Sequence, residues 1–182
     1  MTDVPGTHIA LLRGINLLQH NRLRMTELAE LFTAAGCGHV VTYIQSGNVV
    51  FRARKGPARI AAEVTDRITK QYGFSTKIVV RSADEMARIV ETNPFLAENM
   101  PTQYLHVVFL QDEPSPSAAE ALTPKPGSQD RFRVQGREVY LCLPNGVGGT
   151  RLPDFDRKLS TVATLRNWRT VCKLLDMSRE GA

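Results

Sequence analysis

Leu11-Leu12-Arg13-Gly14-Ile15-Asn16 joins an apolar strand directly to a turn that carries an arginine and an asparagine. The strand itself, residues 8–13, reads HIALLR and has the short apolar composition of a buried strand. Residues 14–24 are polar and are typical of a loop. We therefore take this strand and its exit turn as the centre around which the other elements pack.

Helix and strand patterns alternate after this turn. Met25 to Ala35 has apolar residues at helical spacing and ends at glycines. A second helix runs from Pro57, which suits a first helical turn, to Tyr72 before Gly73. Strand patterns lie at residues 40–44, 49–53 and 76–81. The resulting order, β-α-β-β-α-β, is that of the split βαβ, or ferredoxin-like, arrangement.

The second half of the chain repeats part of this order as β-α-β-β-α-α. Two of its strands flank Gln135-Gly136, a two-residue hairpin signal. The sequence thus predicts an α+β protein with a ferredoxin-like half (residues 1–95) and a second half (residues 96–182) packed on it or intertwined with it. The main boundary is expected between residues 93 and 102, near Asn93-Pro94. The elements expected in the second half are strands at 104–110, 130–134 and 137–143 and helices at 115–122, 154–159 and 165–177.

Composition narrows the class of protein without naming a function. The chain has 182 residues, of which 42% are hydrophobic and 23% charged, and this is ordinary for a globular protein. The net charge of +5 is spread over both halves and does not form a basic tail. No apolar run approaches the roughly 20 residues that span a bilayer. An odd number of widely separated cysteines favours a reduced, cytoplasmic compartment. They are Cys37, Cys142 and Cys172.

Two polar stretches are expected to meet at one end of the first sheet. In a ferredoxin-like unit the first and third strands are adjacent and antiparallel, so the end of the first lies beside the start of the third. Exposed amides beside an arginine suit a phosphate or a carboxylate. The loop with Asn21, Arg22 and Arg24 is expected at the same end. The predicted ligand-binding residues here are Arg13, Asn16, Gln45, Ser46 and Asn48.

A third polar stretch is predicted at the start of the last helix. Thr164 is the expected N-cap, and a helix N-terminus can receive an anion through its free amides. Trp168 has the spacing of a core residue, whereas Arg166 and Asn167 point elsewhere. We therefore add Arg166 and Asn167 as ligand candidates from the second half.

Two other functions stay open at this point. One is an RNA- or DNA-binding module on the open face of the sheet, against which it counts that Phe51 is the only aromatic on the candidate strands. The other is a structural or oligomerising module, in which the polar stretches only cap turns. No catalytic constellation and no metal-ligand spacing can be built from the sequence, so the reaction and the cofactor stay unknown. The oligomeric state is unknown as well. A loop over residues 144–149 lacks the Gly-Lys-Ser/Thr of a phosphate loop.

Four segments of the chain resemble a bacterial family termed domain of unknown function 1697. The resemblance covers nearly the whole chain and implies an α+β protein with a ferredoxin-like N-terminal half. It implies no established reaction, substrate or catalytic residue. The segments are LLRGIN at 11–16, TYIQSGNVVF at 42–51, NPF at 93–95 and ATLRNWRTVCKL at 163–174.

The chain departs from the pattern of that family in two places. Leu17-Leu18-Gln19 stands where relatives usually have Val-Gly-Gly, which makes the loop bulkier and less suited to a phosphate. Thr150-Arg151-Leu152 stands where relatives commonly have Ser-Lys-Leu, which keeps a hydroxyl group and a positive charge. Only the first departure weakens the prediction of an anion site.

Overall fold

A computed structural model describes residues 6–17 and 20–180 of the chain. Within these ranges the protein is an α+β structure with two four-stranded antiparallel sheets. Contacts between residues divide the chain into two units. The first unit comprises residues 1–87 and 173–182, and the second comprises residues 88–172. The predicted α+β class is therefore confirmed, while the division into halves at residues 1–95 and 96–182 stays a prediction.

The first unit has the predicted order of elements. Its strands pair only antiparallel, and their order in the sheet is β2-β3-β1-β4, so that β1 and β3 are central. This arrangement agrees with the ferredoxin-like connection expected from the sequence. The elements are β1 (Gly6–Leu12), α1 (Met25–Ala34), β2 (Gly38–Tyr43), β3 (Asn48–Ala53), α2 (Pro57–Tyr72), β4 (Ile78–Ser82) and α3 (Ala83–Glu91).

Local signals set the limits of the two long helices of this unit. The backbone N–H of Arg24 donates to Glu27 Oε2 at 3.1 Å, which satisfies one of the free amides at the start of α1. Pro57 begins α2 at a position where no backbone N–H is needed. Gly73 ends α2 in the left-handed conformation, with φ 74°.

One face of the first sheet packs against α1 and α2. The helices contribute apolar residues at intervals of three and four, and these side chains are fully or almost fully buried. Phe32 contacts Phe51 with ring centroids 5.1 Å apart, which joins α1 to β3. The buried set includes Ala10, Leu12, Leu28, Leu31, Val49, Ile60, Val64, Ile68 and Ile78.

The second unit forms a sheet with the order β6-β7-β5-β8, again with antiparallel pairing only. Its core lies between this sheet and two short helices, and Phe132 contacts Phe155 there at 6.1 Å between ring centroids. The elements are α4 (Pro94–Ala97), β5 (Leu105–Leu110), α5 (Pro116–Ala121), β6 (Arg131–Gln135), β7 (Glu138–Cys142), α6 (Phe155–Leu159), β8 (Ala163–Asn167) and α7 (Trp168–Glu180), with 3-10 turns at Thr102–Tyr104 and Val147–Gly149.

The prediction of a helix over residues 165–177 is wrong at its N-terminal end. Residues 163–167 form β8, which pairs with β5 and places Leu165 opposite Val108. The helix begins at Trp168, directly after the strand. Because no linker separates the strand from the helix, the apolar spacing of the helix seemed to continue into the strand. The sequence prediction therefore began the helix about one turn too early. The order of the second half is therefore β-α-β-β-α-β-α, not β-α-β-β-α-α.

The corrected order makes the two sheets topological repeats. In each sheet the first strand pairs with the third and the fourth, and the fourth strand continues directly into a helix. Ser82 Oγ accepts from the N–H of Glu85 at 3.1 Å, and Asn167 Oδ1 accepts from the N–H of Thr170 at 2.8 Å, so the last strand residue caps the helix in both. Residues 88–91 of α3 belong to the second unit, and residues 173–180 of α7 belong to the first.

No helix in the described ranges is long and apolar enough to cross a membrane. Phe51, the only aromatic on the strands considered for nucleic-acid binding, is fully buried and contacts His8 and Phe32. Its ring cannot stack on a base in this conformation. Nucleic-acid binding otherwise stays a prediction.

Candidate functional site

The side chain of Asn16 joins the exit of β1 to the turn between β2 and β3. Its Nδ2 donates to the carbonyl of Gln45 at 2.9 Å and to the carbonyl of Leu23 at 2.8 Å. Its Oδ1 accepts from the N–H of Leu23 at 2.8 Å. The first two polar stretches of the sequence therefore meet, as their predicted topology requires.

These bonds also change the role of Asn16. Its backbone is left-handed, with φ 54°, a conformation that asparagine adopts more readily than most residues. Both amide hydrogens and the amide oxygen are engaged within the chain. We conclude that Asn16 holds the loop in place rather than offering its amide to a ligand.

Gly47 allows the β2–β3 turn to approach the end of β1 closely. Its φ is 77°, and an added Cβ would lie 2.7 Å from Ile15 Cδ1 and 2.8 Å from Leu12 Cβ. The N–H of Leu12 donates to the carbonyl of Gly47 at 2.8 Å. A side chain at this position would force the turn away from the strand.

Asn48 is a structural residue as well. It is fully buried at the start of β3, opposite Leu11 of β1. Its Nδ2 donates to the carbonyl of Tyr43 and to Ser46 Oγ, each at 3.0 Å. These bonds close the β2–β3 turn from inside.

The exposed polar groups at this end of the sheet come from neighbouring strands and the turn. Arg13 is exposed, its N–H donates to the carbonyl of Lys77 at 2.9 Å, and its carbonyl accepts from Thr76 Oγ1 at 2.7 Å. Lys77 is exposed beside it, and so are Gln45 and Ser46 of the turn. We call the region formed by Arg13, Gln45, Ser46 and Lys77 the sheet-end surface.

The loop that follows β1 adds cations near this surface. Arg22 and Arg24 are exposed, and the N–H of Asn16 donates to the carbonyl of Asn21 at 3.0 Å, which holds the loop against the strand exit. Asn21 Nδ2 donates to the carbonyl of Gly14 at 3.0 Å. Leu18 and Gln19, part of the bulkier loop noted in the sequence, lie outside the described residues.

Arg166 and Asn167 belong to β8 of the second unit and not to a helical turn. Arg166 is buried, and its Nη1 donates to Thr164 Oγ1 and to the carbonyl of Leu165, each at 2.8 Å. Burial lowers the pKa of Arg166 to about 10, so the guanidinium stays charged at neutral pH. Asn167 is exposed and caps α7. Their participation in the site of the first unit stays a prediction.

Sequence reasoning missed two cavities lined by basic residues. They lie at the end of the β2–β3 hairpin opposite to its turn. The larger, which we call the edge cavity, has a volume of about 490 Å³. The smaller, which we call the strand cavity, has a volume of about 180 Å³. His39 and Arg52 line both cavities. Three cations within four residues, at positions 52, 54 and 55, were the signal that could have indicated this region.

The described residues also contain ionisable groups outside these surfaces, several of them buried. Within the described residues no cluster of His, Cys, Asp and Glu could hold a metal ion. Burial raises the pKa of the Cys37 thiol to about 11, which keeps it protonated and unreactive at neutral pH. Burial also lowers the pKa of His8 and of His106.

The Thr150 hydroxyl donates to the carboxylate of Asp130, while Arg151 is exposed beside the glycine loop.

Comparison with known structures agrees with this fold. A conserved bacterial protein from Streptococcus pneumoniae is similar over 96% of this chain and 99% of its own, with a TM-score of 0.71 and 20% sequence identity. At that identity the likeness concerns the fold. A comparison with curated proteins finds no significant match.

The family described as "Protein of unknown function (DUF1697)" matches residues 6–140. The match includes both polar stretches at the end of the first sheet, the β2–β3 hairpin, the strands β5 and β6, and the first part of β7. Because it covers well over half of the sequence, the chain belongs to the DUF1697 family.

Proposed function

We propose that the protein binds a small anionic or nucleotide-like ligand at the sheet-end surface. Arg13 supplies a guanidinium that can hold a phosphate or a carboxylate through two parallel hydrogen bonds. Gln45 and Ser46 supply neutral hydrogen-bonding groups beside it. Asn16 and Asn48 support these groups indirectly, because their hydrogen bonds hold the turn in place. Arg166 and Asn167 are candidates to complete the site from the second half.

The observation that carries this proposal is the hydrogen bond of 2.9 Å from Asn16 Nδ2 to the carbonyl of Gln45. It fixes the exit of β1 next to the turn from which Gln45 and Ser46 project. A binding surface made from two chain segments needs such a fixed relation, because a ligand gains little affinity from groups that must first be ordered.

The positive charge at and near the sheet-end surface supports the binding of an anion. Arg13, directly after β1, and Lys77, directly before β4, are exposed at the ends of adjacent strands, and Arg22 and Arg24 follow on the loop. Glu27 lies near Arg24 and accepts a hydrogen bond from its backbone at the start of α1. A net positive potential at this end of the sheet would attract negatively charged ligands and would weaken as salt is added.

The test is a calorimetric titration of the protein with inorganic phosphate, ADP and citrate at low and high salt. We expect at least one of these anions to bind, and the substitution Arg13→Gln to weaken that binding about tenfold or more. Arg59→Gln, an exposed substitution on α2, is the matched control and should leave the affinity unchanged.

Two results would count against the proposal. Equal affinity of the Arg13→Gln variant and the unaltered protein would remove Arg13 from the site. A lack of binding by all three anions, together with a lower stability of Arg13→Gln, would favour the structural alternative.

A cytoplasmic location remains part of this proposal.

A further inference from the structure

We propose that the edge of the first sheet holds a second binding site, for a small organic oxyanion that carries a short apolar group. The site consists of the edge cavity and the strand cavity, which share His39 and Arg52. Its oxyanion, a carboxylate or a phosphate monoester, would contact the basic residues of the edge cavity. Its apolar group would lie in the strand cavity.

Arg52 provides the strongest evidence that this site binds an anion. Its Nε atom is buried, and no hydrogen-bond partner for it exists among the described residues. Buried polar groups in proteins are nearly always hydrogen-bonded, so each exception calls for an explanation. A bound oxyanion at the junction of the two cavities would supply the missing acceptor.

The positive charge of the edge cavity comes from three side chains. Lys55 Nζ lies 3.5 Å from Glu63 Oε2, and Glu63 also pairs with Arg67 at 3.1 Å, so Lys55 is partly neutralised. Neither Arg52 nor Arg54 has a carboxylate partner in the described part of the chain. These two guanidinium groups therefore provide the uncompensated charge, and both can bind an oxyanion through two hydrogen bonds.

A β-bulge sets the position of His39. Gly38 pairs with Arg52 and Val41 pairs with Val50, so two residues of β2 lie opposite one residue of β3. His39 is the first of these two residues and has a left-handed backbone, with φ 46°. Bulges re-aim side chains and are common beside functional sites. Here the bulge gives an exposed histidine a place in the wall of both cavities.

The strand cavity has an apolar wall. Val41 is 51% exposed in spite of its apolar side chain, and Val50 and Met177 line the same cavity. Thr7 and Glu180 add polar groups at its rim. Its volume of about 180 Å³ suits a short aliphatic or small ring group and not a large cofactor. The carboxylate of Glu180 would repel a second negative charge, which favours a ligand with one anionic end.

The test compares probes that carry one or both parts of the proposed ligand. Hexanoate and butyl phosphate have both parts, acetate and inorganic phosphate have the oxyanion alone, and hexanol has the apolar group alone. Binding is followed through the NMR shifts of the backbone amides of His39, Val41 and Arg52. We expect hexanoate to bind at least about tenfold more tightly than acetate, and hexanol to bind weakly.

Two substitutions address the two parts of the site. Arg52→Gln should weaken hexanoate binding about tenfold or more, because the charge is lost. Val41→Glu should remove the preference for hexanoate over acetate, because the exposed wall becomes polar and negative. Arg59→Gln on α2 is the control for a lost surface charge. If Arg52→Gln does not fold, the exposed substitution Arg54→Gln takes its place.

The results separate this site from the sheet-end surface. Amide shifts at the hairpin that vanish in Arg52→Gln and persist in Arg13→Gln support the second site. Shifts that vanish in Arg13→Gln and persist in Arg52→Gln overturn it and leave the proposed function standing. Equal affinities for hexanoate and acetate, or no amide shift at all, overturn the ligand class or the site itself.

Discussion

Asn16 donates its side-chain amide to the carbonyl of Gln45 at 2.9 Å, and this bond connects two segments that are 29 residues apart in the sequence. The same side chain exchanges two further bonds with Leu23. One residue thereby fixes the exit of β1, the following loop and the β2–β3 turn. The polar turn that follows the central strand is first of all a structural junction, on which a binding surface can be built.

Substitution of Asn16 should therefore lower stability. In Asn16→Ala three hydrogen bonds are lost and the left-handed backbone becomes less favourable, so we expect a loss of about 2–4 kcal/mol in the free energy of unfolding. Urea denaturation followed by circular dichroism measures this loss. The variant Asn16→Gly should recover the part that is due to the backbone. A loss below about 0.5 kcal/mol would contradict the structural role.

Gly47 offers a test of steric crowding with a close internal control. Gly47 and Gly127 have φ values of 77° and 78°, but an added Cβ meets Ile15 and Leu12 at Gly47 and nothing within 4 Å at Gly127. Both alanine variants carry the cost of the backbone conformation, about 1 kcal/mol. We expect Gly47→Ala to lose about 1–3 kcal/mol more than Gly127→Ala. Equal thermal denaturation midpoints would show that the turn can move away at no cost.

Arg166 should contribute to stability from within β8. Its substitution by alanine leaves Thr164 Oγ1 and the carbonyl of Leu165 without their donor and empties a buried position. We expect a loss of about 2–4 kcal/mol in the free energy of unfolding. Arg169→Ala, an exposed substitution on α7, should change it by less than about 0.5 kcal/mol. Similar values for both variants would argue against a structural role for the buried guanidinium.

The two strand histidines should make the protein less stable in mild acid. Burial lowers the pKa of His8 and of His106 below the ordinary value of 6.5, so the unfolded chain takes up protons first as the pH falls. Their contribution is complete above pH 6.5 and is lost as the pH falls from there through the folded pKa values. Denaturation with urea between about pH 7.5 and pH 5 measures this dependence.

The double variant His8→Gln/His106→Gln is the control for this pH effect. Its stability should vary less over the same range, because two groups that titrate there are gone. A dependence as steep as that of the unaltered protein would assign the effect to other groups. Glu63, whose pKa is lowered chiefly by its hydrogen bond to Arg67, acts in a more acidic range.

Sequence reasoning succeeded where structural signals are local. The helix over Pro57–Tyr72 was predicted with its observed limits, because a proline suits its first turn and a glycine can end it in the left-handed conformation. The meeting of Asn16 with the β2–β3 turn was also predictable. It follows from the order of elements, since the first and third strands are neighbours in this topology.

What depended on partners distant in the sequence could not be read in this way. Residues 163–167 form a strand because β5 lies beside them, whereas their own spacing also suited the helix that follows. The amide of Asn16 looked available to a ligand until its acceptor in another segment was known. The junction of His39 and Arg52 arises from a bulge in the pairing of two strands.

The sequence by itself thus determined the α+β class, the first six elements and the place where the two polar stretches meet, because periodicity, turn residues and element order are properties of the chain. The tertiary structure decided which polar groups are already hydrogen-bonded and which cations face a cavity. Those properties depend on the atoms that surround each side chain, and these come from segments far apart in the sequence.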